Sequence, residues 1–229
     1  MASGQQETAR IIWRDQTVPV SEQFDDPYFS LSGGLAETQH VFLNGNDLPA
    51  RFAPGFHVAE LGFGTGLNML VTWKLWRETG QKGPLRFTSF EAFPMAVQDM
   101  RAALAAFPEL ASLTDWFLGG WRADQPEFIA DDLHLKVIIG DANETLPRWQ
   151  GHADAWFLDG FSPAKNPELW RPDLMAAVAG HTNPNGTLAT YSAAGHVRKS
   201  LADVGFTVDR VPGFGRKRHM TTGIRKTST

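Results

Sequence analysis

The chain contains no cysteine. That removes disulfides, thiolate metal centres and every catalytic route through a thiol, including methylation of a pyrimidine carbon by way of a covalent cysteine adduct. With no basic-then-apolar leader either, the expectation is a cytoplasmic protein whose MASGQQETAR start is a frayed end rather than a signal. No apolar run reaches the roughly 18 residues that a membrane-spanning helix needs, so no membrane association is expected. The seven histidines show no His-Glu-His or comparable spacing, and no metal site is expected. Internal repeats and low-complexity linkers are lacking too. Nor is there an excess of positive charge, since a formal net charge of −4 argues against a surface that coats nucleic acid throughout. The balance is uneven, however. From Arg198 onward eight Lys and Arg face two Asp and Glu, which leaves about −10 on the preceding residues. A basic C-terminal patch on an acidic body is expected to hold a phosphate backbone locally, through Arg198, Lys199, Arg216, Lys217 and Arg218.

What is present is an alternation of short β-type runs with helical ones. A length of 229 residues with 42% hydrophobic content suits a single α/β unit with a sizeable core. HVAELGFG reads as a strand entering a glycine turn, and LNMLVTWKLWRETG has apolar residues at helical spacing up to Gly80. LRFTSFEA, HLKVIIG, ADAWFLD and GTLATYS read as further strands. PMAVQDMRAALAAF, with Pro94 at its start, RPDLMAAVAG and AAGHVRKSLADVG read as helices. FTVDRV and HMTTGIR close the chain with no helix between them. The pattern predicts an α/β, Rossmann-like fold with a mostly parallel seven-stranded sheet and an antiparallel C-terminal edge hairpin. Residues 1–56, with IIWR, YFS and HVFLN between Gly, Pro and Asn, read as a β-rich extension on a domain of residues 57–229.

The turn ELGFGTG follows a strand and opens a helix, at the usual cofactor position of a doubly wound sheet. Gly62, Gly64 and Gly66 let backbone approach a ligand closely. The dinucleotide fingerprint fails, because Leu67 stands where its last glycine belongs. Glu60 with these three glycines instead resembles the first motif of class I S-adenosylmethionine methyltransferases. Glu91 ends the second strand, where an acid accepts hydrogen bonds from ribose hydroxyls. Asp141 follows the third strand, placed to reach an adenine amino group. With Asp159 ending the fourth strand, these acids line one rim, and S-adenosylmethionine is the expected cofactor.

DGFSP, from Asp159, resembles in type the Asp/Asn-Pro-Pro-aromatic segment of amino-methyltransferases, where a side-chain oxygen and a backbone carbonyl hold an NH₂ group. An amine attacks a methyl donor only when neutral, and an alkylammonium has a pKa of about 10. Asp159 is therefore expected mainly to orient the amine and ease its proton loss. Phe161 is expected to stack on a nucleobase, and Gly160 and Pro163 to shape the slot. Lys165 and Asn166 are expected to reach phosphate or ribose.

DGFSPAKNPELW, NGNDLPARF, ELGFGTGLNML and the terminal GFGRKRHM are similar to the tRNA 5-methylaminomethyl-2-thiouridine methyltransferase family, the MnmD proteins and the N-terminal domain of bifunctional MnmC. The resemblance runs from about Asp25 to about Gly223. It implies methyl transfer from S-adenosylmethionine to the exocyclic amine of 5-aminomethyl(-2-thio)uridine at the tRNA wobble position, after a separate enzyme has installed the aminomethyl group. It places Glu60, the glycine turn, Glu91 and Asp141 at the cofactor. Asp159 and Phe161 fall at the catalytic position, with Asn46, Asp47 and Lys217 also beside the substrate. Bifunctional members continue into a flavin-dependent oxidoreductase. With no second glycine fingerprint, this chain is expected to bind no FAD and to lack that activity. Alternatives are a methyltransferase or aminopropyltransferase for another amine, and a non-catalytic nucleotide- or RNA-binding module.

Overall fold

A computed structural model describes residues 7–15, 17–30 and 33–226. Its centre is a sheet of five parallel strands: β4 (His57–Leu61), β5 (Leu85–Glu91), β7 (Leu133–Ile139), β8 (Ala153–Leu158) and β9 (Thr182–Thr190), in the order β9-β8-β4-β5-β7. Three antiparallel strands extend it. β6 (Glu127–Ala130) pairs with β7 at one edge. At the other edge β11 (His219–Arg225) pairs with β9, and β10 (Phe206–Pro212) pairs with β11. The C-terminal hairpin is the one its two consecutive strands predict. The sheet has eight strands rather than seven, because β6 is a short run whose apolar alternation is hidden by the polar loop before it.

The central strands read as near-continuous apolar runs because both faces are covered, and their side chains alternate between two cores. From β4 and β8, Val58, Ala155 and Phe157 pack on one face with Leu70 and Trp73 of α2 (Leu67–Glu78), Leu104 of α3 (Val97–Leu104) and Phe117 of α4 (Ala111–Gly120). Ala59, Leu61, Trp156 and Leu158 pack on the other, against Leu174 and Val178 of α6 (Pro172–Gly180) and Val197 and Leu201 of α7 (Gly195–Asp203). α3 begins at Val97, three residues after Pro94, since Ala96 is still extended. A four-residue helix, α5 (Ala142–Thr145), follows β7.

The N-terminal region is only partly β. β1 (Ile11–Arg14), β2 (Val18–Ser21) and β3 (Asp26–Pro27) form a separate antiparallel sheet. HVFLN, expected as strand, instead lies in a continuous helical segment: α1 (Gly34–Thr38), a π-helical turn over Gln39–Leu43 and a 3₁₀ turn over Asn44–Asn46. Val41, Phe42 and Leu43 are all buried. A short apolar run carries no period that separates a buried helix turn from a strand.

The small sheet is tied to the rim of the large one. Asp26 Oδ2 accepts from the Ser162 amide at 2.8 Å, and Lys165 Nζ reaches Asp25 Oδ2 at 3.0 Å. The Ala9 amide donates to Pro94 O at 3.2 Å. These ties place the β1–β3 unit over the carboxyl ends of β4, β5 and β8.

Candidate active site

β4 leads to β5 and β7 on one side, while its other neighbour, β8, leads to β9 on the opposite side. The chain direction across the sheet thus reverses between β4 and β8, which is where ligands enter doubly wound folds. A cavity of about 840 Å³ opens there, within the usual range of about 300–1,000 Å³ for small-molecule sites. Its walls come from the turns after β4, β5, β7, β8 and β9, from the small N-terminal sheet, from α1 and from the β10–β11 loop.

The turn after β4 is built for close approach. Gly62, at φ +87°, presses on the β8 end so closely that a Cβ would stand 2.2 Å from Asp159 O. Gly64, at φ +52°, donates its amide to Glu91 Oε2 at 2.9 Å, and a Cβ there would meet the Tyr28 ring at 3.0 Å. Glu91 Oε1 accepts from the Phe93 amide at 2.8 Å. Burial raises the Glu91 carboxyl above its ordinary value, and the backbone amides around it pull part of the way back. The amides of Phe63, Gly64, Ala92 and Phe93 all surround this carboxylate, so a ribose hydroxyl would share its oxygens with backbone donors. Asp141 lines the cavity while capping α5, its Oδ1 accepting from the Asn143 amide at 2.8 Å. The ordinary cap and the cavity position coincide in one residue. A glycine turn whose backbone lines the cavity and two strand-end acids, beside an opening of this size, fit S-adenosylmethionine.

The other side of the cavity centres on Asp159. Asn68, second residue of α2, donates to Asp159 Oδ2 at 2.6 Å and to Glu60 Oε1 at 2.9 Å, and accepts from Thr38 Oγ1 at 2.8 Å. One amide thereby locks three elements around the carboxylate. Burial pushes the Asp159 carboxyl up to about 7, opposed by the Asn68 hydrogen bond, with Glu37 adding to the rise and Lys217 opposing it. Tyr191, just past β9, donates its hydroxyl to Gly160 O at 2.6 Å. Burial first, then the charges of Asp159, Asp26 and Glu37, push its phenol far above the ordinary range, so it stays a donor. Lys217 lies over the Tyr191 ring, 3.8 Å from its centroid, and reaches Glu37 Oε1 at 2.8 Å.

Of the residues expected from sequence, Gly62, Gly64, Glu91, Asp141, Asp159, Gly160, Phe161, Asn166, Arg216 and Lys217 line this cavity. Others stand elsewhere. Glu60 is buried behind Asn68, where Ser89 Oγ donates to its Oε2 at 2.7 Å; burial holds its carboxyl well above the usual range. Its contact with the cofactor space is through Asn68, not direct. Gly66 caps the start of α2 against Phe63. Asn46 is fully buried, donating to Phe42 O at 2.9 Å and accepting from Thr187 Oγ1 at 2.6 Å, so it pins the helical segment to β9. Asp47 is exposed in a left-handed turn at φ 55°. Pro163 is outside the cavity wall, and Lys165 is committed to Asp25 and Asp26. Phe161 stacks on Phe24 at 4.8 Å and meets Tyr28 edge-on at 5.1 Å. A base stacking on that face would displace Phe24.

Asn68, Tyr191, Glu37 and the Phe24–Tyr28 wall were not evident as site residues. Asn68 had a signal, a polar side chain inside the apolar helix after the glycine turn. Tyr191 had one as well, since it follows the fifth strand as Asp159 follows the fourth. Glu37 and Phe24 had none, because only the tertiary fold brings the N-terminal segment over the rim. Among the described residues, no group of three or more His, Asp or Glu side chains could hold a metal ion, and no helix is long and apolar enough to cross a membrane.

Residues 111–226 match the model of a family described as S-adenosyl-L-methionine-dependent methyltransferase. The chain is 44% identical over 226 residues to the tRNA 5-methylaminomethyl-2-thiouridine biosynthesis bifunctional protein MnmC of Pseudomonas aeruginosa, covering 94% of this chain and 35% of that protein. To the protein of the same name from Leptospira borgpetersenii it is 41% identical over 221 residues, covering 92% and 34%. The chain thus spans about a third of the length of the curated relatives it matches. Among solved structures, MNMC2 from Aquifex aeolicus superposes with a TM-score of 0.78 at 27% identity, over 99% of this chain and 73% of that one. A precorrin-6y C5,15-methyltransferase from Geobacter metallireducens, at 12% identity and a TM-score of 0.51 over 90% of this chain and 94% of that one, shares the fold.

Proposed function

The chain belongs to the S-adenosyl-L-methionine-dependent methyltransferase family, and from that premise we propose that it methylates the primary amine of 5-aminomethyl(-2-thio)uridine at the tRNA wobble position. Bound in the crevice, S-adenosylmethionine supplies an electrophilic methyl group. The observation that carries the reading is Asp159, held by Asn68 at the switch point with a cavity in front of it. The shared names of the curated relatives at 41–44% identity supply the substrate class.

Glu91, Asp141 and the closely approaching backbone at Gly62 and Gly64 would hold the donor. Asp159 Oδ2 is taken by Asn68, which leaves Oδ1 to accept a hydrogen bond from the incoming amine. Moving a proton from an ordinary alkylammonium to a carboxyl at about 7 is uphill by roughly 4 kcal/mol. Burial of the amine reduces that difference, and positioning is the larger contribution of Asp159. The β1–β3 sheet, with Phe24 and Tyr28, forms one wall over the crevice. Arg216 and Arg218, exposed on the β10–β11 loop, would meet the tRNA backbone.

Labelled methyl transfer from S-adenosylmethionine tests the reading, with bulk tRNA from cells lacking this modification step set beside simple amines and protein. Label confined to tRNA is expected. Label on small amines or protein alone would replace the acceptor.

A further inference from the structure

The β10–β11 loop returns a lysine into the acceptor side of the cavity. Lys217 Nζ lies over the Tyr191 ring at 3.8 Å and 2.8 Å from Glu37 Oε1. The Glu37 side chain is only 14% exposed, whereas that of Lys217 keeps 45%. The same tyrosine reaches Gly160 O through its hydroxyl, so one ring carries the cation on its face and the Asp159 turn on its edge. Asp159, Asp26 and Glu37 all act on that hydroxyl, and Glu37 and Lys217 both act on the Asp159 carboxyl. An acidic surround therefore meets an aromatic face inside the cavity that receives the acceptor.

An aromatic face backed by carboxylates selects organic cations. A lysine side chain ends in CH₂–NH₃⁺, the same group that an aminomethyl acceptor carries. We propose that Tyr191, Glu37 and Asp159 form an alkylammonium subsite, that Lys217 is its resident occupant, and that the acceptor's primary amine displaces Lys217 on entry. The inference rests on the acceptor being a primary amine, as argued above. An ion pair with one half-exposed partner exchanges readily. Once displaced, Lys217 joins Arg216 and Arg218 of the same loop as a cation available to phosphate. A lysine that sits inside the acceptor site in the free protein thus faces the substrate backbone in the complex.

The test uses n-propylammonium as probe and n-propanol as its neutral control. Each is titrated at constant ionic strength into the S-adenosylmethionine-bound protein and followed by ligand-observed NMR. The Lys217→Met variant is expected to bind n-propylammonium at least fivefold more tightly than wild type, with n-propanol unchanged. The Glu37→Gln/Lys217→Met double variant is expected to lose that gain. In wild type labelled with ¹⁵N-lysine, the Lys217 Nζ resonance should leave its ring-shifted position as n-propylammonium saturates. Equal or weaker binding by Lys217→Met, or a Lys217 resonance unmoved at saturation, would overturn the subsite. Neither readout involves methyl transfer, so failure here leaves the tRNA reading standing. Ammonium binding without tRNA methylation would strike that reading and spare the subsite.

Discussion

The carbonyl oxygen of Asp159 stands 2.2 Å from the point where a Cβ on Gly62 would lie. The two residues follow neighbouring parallel strands, β4 and β8, so the glycine turn and the Asp159 turn are in direct backbone contact. Gly62→Ala is therefore expected to force the two turns apart. Backbone strain at φ +87° and the clash together come to roughly 2–5 kcal/mol of lost stability. Gly80→Ala is the control. It shares a positive φ of +64° but has nothing within 4 Å, and is expected to lose only about 1 kcal/mol. Thermal unfolding of both variants checks this; equal losses would mean that the contact with Asp159 is not tight.

Asn68 positions Asp159 by donating to its Oδ2 at 2.6 Å while held by Thr38 and Glu60. Asn68→Ala is expected to lower kcat by roughly 10–100-fold, as loss of alignment rather than of the reacting group. Affinity for S-adenosylmethionine should change little. Steady-state and single-turnover kinetics with calorimetric binding separate the two, and a loss confined to cofactor affinity would move Asn68 to the donor side.

Asp159 carries a stability cost with a defined pH dependence. Its carboxyl is raised from 3.8 to about 7 in the folded protein, so the folded state binds more protons than the unfolded one between those values. Stability is then lost as pH rises from about 4 to 7, by an amount on the order of 2–4 kcal/mol. Asp159→Asn should gain on wild type over that range and gain no more above it, which denaturant titrations at stepped pH measure. The rate should move oppositely. With the carboxylate as the active form, kcat/KM for wild type rises through pH 7, and Asp159→Asn loses that limb.

Arg216 and Arg218 are exposed on the loop beside the cavity mouth, whereas Lys199 is paired with Asp203 and Arg225 donates to Thr182 O. Only part of the basic C-terminal tally is thus free for phosphate. Each lost phosphate contact lowers the slope of log affinity against log salt by about 0.7–0.9. Replacing Arg216 and Arg218 with Gln should lower the slope for tRNA by roughly 1.5, leaving cofactor affinity unchanged. An unchanged slope would make both residues bystanders.

The central architecture was legible because it depends on local signals. Buried parallel strands are unbroken apolar runs, and a strand, a glycine turn and a helix in succession mark a cofactor turn. Glu91, Asp141 and Asp159 followed from one rule, that acids at successive strand ends share a rim. Extended to the fifth strand, the same rule reaches Tyr191, a phenol rather than an acid. Motif resemblance alone sets Asn46 and Asp47 beside the site, while the fold uses Asn46 to pin β9. The N-terminal cover was the least legible part. Phe24 and Tyr28 reach the site through long-range ties such as Asp26 to the Ser162 amide, and Glu37 through α1, whose Thr38 donates to Asn68; a contact such as the first, across 136 residues, leaves no periodic trace.

The most direct test is nucleoside mass spectrometry of tRNA bearing 5-aminomethyluridine after a single turnover with S-adenosylmethionine, using wild type and Asp159→Ala. The account predicts that wild type converts the nucleoside to its N-methylated form. Asp159→Ala, with normal cofactor binding, should be slower by about 10²–10⁴, the scale of positioned proton-transfer groups. An unmodified wild-type product, or wild-type rates in a folded Asp159→Ala protein, would contradict it.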